Sequence, residues 1–163
     1  MHISVLLNEC IENLNIKEDS VIVDCTLGYG GHSSEILKRV PKGKLYSFDQ
    51  DEDAIKEARE KLEKIGNNFE IIKSNFVHLE KEIKQRENKV NGILYDLGVS
   101  SPQLDEKERG FSYHEDARLD MRMDKDNPLS AYEVVNNYSK EQLANIFFKY
   151  GEEEFSRIIA KNI

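Results

Sequence analysis

Between residues 21 and 40 the hydrophobic pattern changes period abruptly. Val21-Ile22-Val23-Asp24-Cys25 is an unbroken β-branched run of the kind buried in a parallel sheet. Gly28, Gly30 and Gly31 interrupt it, and an amphipathic helical pattern follows through Ile36-Leu37. A strand, a glycine turn and a helix in that order leave few folds open. Strand and helix must pack face to face, and the turn between them falls at the carboxyl end of the strand, where open α/β sheets receive their ligands.

The same alternation recurs. Pro41 and Gly43 close the first helix and Lys44 to Phe48 reads as a second strand. Asp51 to Ile65 reads as a helix with Ala54, Ile55, Ala58, Leu62 and Ile65 on one face, stopped by Gly66-Asn67-Asn68. Phe69 to Lys73 predicts a third strand, Val77 to Arg86 a helix, and Gly92 to Leu97 a fourth strand ending in Asp96-Leu97-Gly98. Four β-then-α steps predict an α/β fold, a parallel sheet with helices on both faces. A short helix over Val5 to Leu14 precedes the first strand. After Gly98 the stretch to Pro128 is polar, rich in Asp and Arg, and reads as a long ordered loop. Three short helical patterns follow, with Ser130 and Ser139 as caps and Gly151 separating the last two. The division between sheet domain and helical segment is expected near Leu104, giving domains of residues 1–104 and 105–163.

Composition narrows the partners. A chain of 163 residues with 39% hydrophobic content can bury a core, but its formal charge of −8 excludes a generic nucleic-acid glue. An RNA partner would have to meet a local basic patch. Cys10 and Cys25 lie in apolar stretches and read as reduced, buried thiols, which fits the cytoplasm. The opening Met1-His2-Ile3-Ser4 has no basic run before an apolar core, and nowhere do about 18 apolar residues run together, so neither export nor membrane insertion is expected.

The glycine turn also discriminates among ligands. A dinucleotide fingerprint would place a third glycine at position 33, where Ser33 stands, and this disfavours a nicotinamide dehydrogenase. Asp24 closes the first strand and Asp49 the second. Paired acidic strand ends suit a nucleoside bearing an amino acid, one carboxylate serving each part; each could instead only cap the turn or helix beside it. His32, at a helix start, could touch that ligand or cap backbone amides, and Phe76 could pack on an adenine or join the core.

Longer strings carry a resemblance. Asp96-Leu97-Gly98-Val99-Ser100-Ser101-Pro102-Gln103-Leu104-Asp105, Arg109-Gly110-Phe111-Ser112 and Leu119-Asp120-Met121-Arg122-Met123-Asp124 are similar to the bacterial 16S ribosomal RNA (cytosine-N4)-methyltransferase family. So are His2 with Val5-Leu6-Leu7-Asn8-Glu9, Gly30-Gly31-His32, Tyr150-Gly151-Glu152-Glu153 and Arg157-Ile158-Ile159-Ala160. The likeness covers essentially the whole chain, and family members then continue for about as long again, so the chain resembles an N-terminal half.

The resemblance implies a Rossmann-like S-adenosylmethionine-dependent methyltransferase sheet, incomplete at four parallel strands, followed by part of a helical insertion. The first strand would lie centrally, the second and third on one side and the fourth on the other. S-adenosylmethionine would be held by Gly30, Gly31, His32, Asp49, Phe76, Asp96 and Gln103, with Asp96 also the candidate catalytic group accepting an N–H of the cytosine amine. The partner would be 16S rRNA in the small ribosomal subunit. Lys107, Arg109, Arg118, Arg122 and Lys125 would meet its phosphates, or would instead order the loop through Asp116, Asp120, Asp124 and Asp126. No metal site is expected there, since the arginines compete for the same carboxylates. The fourth strand would be left as a free edge that pairs with a second copy or is covered by the helices from Ser130 to Ile163. Two alternatives stay open: methylation of a protein or small-molecule acceptor, and a non-catalytic fragment that binds a nucleotide or a partner.

Overall fold

Four strands, β1 (Val21–Asp24), β2 (Lys44–Asp49), β3 (Phe69–Lys73) and β4 (Gly92–Leu94), pair in the order β3-β2-β1-β4, all parallel. The computed structural model describes residues 5–163, so His2 of the family pattern lies outside the described residues. The chain forms two compact units, Met1–Ser100 and Ser101–Ile163.

In the first unit, side chains alternate across each strand and so supply two cores. Ile22 and Leu45 face one layer with Ile11 of α1 (Leu7–Asn13), Leu27 of the glycine turn, Ile36 and Leu37 of α2 (Gly31–Arg39), Val40 just after it, and Ala58 and Leu62 of α3 (Glu52–Glu63). Val23, Tyr46 and Phe48 face the other, with Ile72 and with Ile83 of α4 (Leu79–Lys84). Helices on both faces and a central first strand are the arrangement expected above. Asp51 starts α3 by accepting a hydrogen bond from the Asp53 amide at 3.1 Å.

Three elements differ from the sequence pattern. The fourth strand stops at Leu94 rather than Leu97, because its partner β1 ends at Asp24 and turns away. The last ladder bond runs from the Cys25 amide to the Leu94 carbonyl at 2.9 Å, and the Asp96 amide donates instead to Thr26 Oγ1 at 2.8 Å. The helix expected from Val77 opens as a 3₁₀ turn, Phe76–His78, because Asn75 Oδ1 caps it by accepting from the Val77 amide at 2.9 Å. The long polar stretch also contains a short helix, α5 (Ser101–Asp105), which falls in the second unit although the pattern set the division near Leu104.

The second unit continues with a 3₁₀ turn (Lys107–Arg109) and helices α6 (Ala131–Asn137), α7 (Lys140–Gly151) and α8 (Ser156–Asn162). Ser130 and Ser139 start α6 and α7 as capping boxes with Glu133 and Gln142, as their spacing predicts. Arginines order the polar stretch. Arg122 grips Asp120 with Nε and Nη2 at 2.9 and 2.8 Å, and its Nη1 reaches the carbonyls of Lys125 and Asn127 at 3.0 and 2.8 Å. Buried Arg109 donates to the Arg122 carbonyl at 2.9 Å. Arg118 pairs with Glu133 at 3.0 Å and lies over the Tyr132 ring. Among the described residues no helix is long and apolar enough to cross a membrane.

Phe48 is the largest of the fully buried side chains. Phe48→Ala is expected to cost about 3–5 kcal/mol, read as a lower urea midpoint with little change in slope.

Candidate functional site

The site is assembled where β1, β2 and β4 release the chain. Asp24, at the end of β1, has no exposed surface. Its Oδ1 accepts from the Thr26 amide at 3.1 Å, its Oδ2 accepts from Ser33 Oγ at 2.7 Å, and Ser33 Oγ lies 2.8 Å from Ser47 Oγ on β2. This carboxylate therefore fastens strand, turn and helix together. Both of its oxygens are taken up by the turn and α2, as the turn-capping alternative requires.

Asp49 is half-buried at the end of β2. Its Oδ1 accepts from the amides of Gln50 and Asp51 at 2.7 and 2.9 Å, and its Oδ2 accepts from the Gly28 amide at 2.7 Å. Burial pushes its carboxyl up, while these three amides act the other way. A carboxylate oxygen has capacity for two bonds, so Oδ2 can still take a hydroxyl. The turn between the two aspartates is bound to β2 by the Leu27 amide, which donates to the Phe48 carbonyl at 2.9 Å. It passes through Gly30 at φ +75°, a left-handed conformation that favours glycine, and a Cβ there would also come within 3.2 Å of the Ala58 Cβ.

His32 stands in the first turn of α2, only 4% exposed. Its Nδ1 lies 3.6 Å from Asp96 Oδ2, an electrostatic approach rather than a hydrogen bond, and its Nε2 is buried with no hydrogen-bond partner among the described residues. Among the described residues neither nitrogen accepts from a backbone amide. An unsatisfied buried polar atom costs roughly 1–3 kcal/mol, a cost that a polar ligand atom can remove. The orphaned nitrogen, the exposed Asp96 carboxylate and the spare capacity of Asp49 suit a ligand with both hydroxyl and charged amino-acid groups.

Phe76 is half-buried and meets the edge of Tyr95 at a centroid distance of 5.5 Å and an interplanar angle of 87°. The structure thus brings Gly30, Gly31, His32, Asp49, Phe76 and Asp96 into one unit. Gln103 lies in the other, buried on α5. Sequence reasoning missed Thr26, which links the turn to Asp96, and Ser33 and Ser47, which complete the Asp24 network. Small hydroxyl residues carry no periodic signal, although the substitution of serine for a third dinucleotide glycine pointed at position 33. Burial pushes the Cys25 thiol up to about 11, so it stays protonated at neutral pH. The arginines expected at RNA phosphates, Arg109, Arg118 and Arg122, all take part in the network that orders their own loop, whereas Lys107 and Lys125 are exposed.

A β3-β2-β1-β4 parallel sheet with helices on both faces and a glycine turn after β1 defines a Rossmann-like α/β domain. The crystal structure of a proposed rRNA-methylase from Clostridium thermocellum shares this fold, with a TM-score of 0.52 at 22% identity over 61% of this chain and 56% of that one. Residues 1–163 match the model of the MraW methylase family, and the chain belongs to that family. It is 59% identical over 163 residues to "Ribosomal RNA small subunit methyltransferase H" of Exiguobacterium sibiricum, covering 99% of this chain and 52% of that protein. It is likewise 59% identical over 164 residues to the protein of the same description from Mesoplasma florum, covering 99% and 53%. The chain spans about half the length of the curated relatives it matches.

Burial pushes the Asp24 carboxyl up, against the hydrogen bonds from Ser33 and the Thr26 amide. The fold then holds this proton more tightly than the unfolded chain does, so stability falls as pH rises from the ordinary carboxylate range through the raised value, and levels off above it. Asp24→Asn keeps the acceptor for Thr26 and removes the titration. The melting temperature of the variant relative to the parent is expected to be higher near neutral pH than near pH ~4, and parallel pH profiles would contradict the assignment.

Proposed function

We propose that the chain is the cofactor-binding part of an S-adenosylmethionine-dependent methyltransferase that modifies the N4 amine of a cytosine in 16S rRNA of the small ribosomal subunit, in the cytoplasm. The observation that carries the reading is the buried, unpartnered Nε2 of His32 beside the exposed carboxylate of Asp96, at the mouth of the glycine turn. The family match supports methyl transfer, and the descriptions of the two relatives support small-subunit ribosomal RNA as the acceptor.

When bound, S-adenosylmethionine supplies a methyl group already activated by a sulfonium. Gly30 and Gly31 would let the backbone approach it, Asp49 Oδ2 would take ribose hydroxyls, Phe76 would pack on the adenine, and His32 and Asp96 would hold the remainder; Gln103, in the other unit, is carried only by the family resemblance. The N4 amine is conjugated with its ring and is a poor nucleophile. An Asp96 carboxylate accepting one N–H keeps the lone pair directed at the methyl group, and alignment does the rest.

Calorimetric titration with S-adenosylmethionine is expected to show that Asp49→Ala weakens binding roughly tenfold to a hundredfold, the worth of hydrogen bonds to a charged group. Asp96→Asn, assayed on small subunits from cells lacking the modification, is expected to lower turnover on the order of a hundredfold, with cofactor affinity measured separately. Unchanged turnover removes Asp96 from the chemistry.

The reading extends to assembly. Among the described residues β4 has a strand partner on one side only, and Ile93 on it is 41% exposed. A second copy pairing along this edge gives a symmetric dimer. Light scattering is expected to report a dimer that Ile93→Lys converts to monomer; a monomeric parent excludes this contact.

A further inference from the structure

The second unit holds a cavity that the methyl-transfer site does not use. Residues 110–121 form a loop whose two ends are locked together. The Met121 amide donates to the Arg109 carbonyl at 2.9 Å and the Asp120 amide to the Arg118 carbonyl at 2.8 Å. Gly110 sits at φ +68°, where a Cβ would come within 2.6 Å of both the Arg118 carbonyl oxygen and the Asp120 nitrogen. Only glycine fits this neck. Above it the loop forms a concavity of about 490 Å³, largely open to solvent and lined in part by Phe111, Tyr113, His114, Glu115, Asp116 and Arg118. That volume is within the usual range for small-ligand sites.

Two features of the wall select an occupant. Tyr113 is 92% exposed, with its ring 4.5 Å from that of His114 and tilted by 38°. An aromatic pair placed in water contributes little to folding, but it offers the flat apolar surface on which unpaired bases stack. Charge then decides how such a base enters. The Arg118 guanidinium is already engaged by Glu133 at 3.0 Å and by the Tyr132 ring at 5.0 Å, while Glu115 and Asp116 add negative charge to the wall. Phosphate is repelled, so the strand enters base first. Carboxylates accept from the exocyclic amines of cytosine and adenine and have nothing to accept from the carbonyl that uracil carries in the same place.

We propose that the 110–121 loop is a stacking pocket for one unpaired, amine-bearing base of single-stranded RNA. The proposal rests on the RNA-substrate reading above and adds where part of the strand is held.

Fluorescence anisotropy of the 163-residue chain with short labelled oligoribonucleotides, without cofactor, tests it. Oligo-C is expected to bind, oligo-U several-fold more weakly, and oligo-C annealed to its complement not detectably. Tyr113→Ala is expected to weaken oligo-C binding on the order of tenfold and Tyr113→Phe less than about twofold, both with the parent's melting temperature because the ring is exposed. If Tyr113→Ala binds oligo-C as the parent does, the pocket is overturned and the substrate reading stands. If the parent binds no RNA while calorimetry still shows S-adenosylmethionine binding, the substrate reading falls and the pocket with it. Equal affinity for oligo-C and oligo-U overturns the carboxylate readout.

Discussion

A carboxylate with no exposed surface, Asp24, sits where β1 gives way to the glycine turn, and its two oxygens reach in different directions. One takes the amide of Thr26, the other the hydroxyl of Ser33 on α2, which in turn meets Ser47 on β2. A buried polar group is tolerated only when it is hydrogen-bonded, so strand, turn and helix are tied together by the requirement to satisfy this one carboxyl. The positions of Gly30, His32 and Asp49 follow from it. The two aspartates that end β1 and β2 have divided their work: Asp24 builds the turn, and Asp49 is left at the surface of the site.

The ligand end of the sheet depends as much on where pairing stops. β1 has only four residues, Val21–Asp24, and once it bends, β4 has no ladder to follow. Tyr95 and Asp96 are released from strand geometry at that level. Their side chains reach Phe76 and His32, and the Asp96 amide finds the Thr26 hydroxyl in place of a strand carbonyl. A longer β1 would have kept these residues in the sheet, alternating between its faces.

Much of this could be read before any coordinates. The β-branched run of β1 and the short apolar runs between helical patterns set all four strands and the order of the alternation, because parallel strands buried on both faces leave an apolar signature. Asp51, Ser130 and Ser139 marked helix starts, since capping is local chemistry. The end of β4 could not be read that way. Tyr95-Asp96-Leu97 has strand-like composition, and only the length of a partner more than sixty residues earlier ends it. The role of Asp24 was ambiguous for a related reason: buried and exposed aspartates look alike until Ser33 and Ser47 are brought alongside. The arginines of the polar stretch read equally as phosphate ligands or as internal braces. The bidentate grip of Arg122 on Asp120 identifies a brace there.

The bond from the Asp96 amide to the Thr26 hydroxyl joins residues 70 apart in sequence, and the Val21 amide meets the Asn91 side chain across the same separation. Contacts of such span carry a loop-closure entropy that must be met before they yield anything, and they form late in folding. During synthesis β1, β2 and β3 emerge first, with one edge of β1 open until β4 arrives. Asp96 joins His32 only once β4 has paired. A ligand that contacts both residues acts only on states in which β4 has paired with β1, so its free energy of binding adds to the stability of those states and slows their unfolding while leaving the early nucleus untouched.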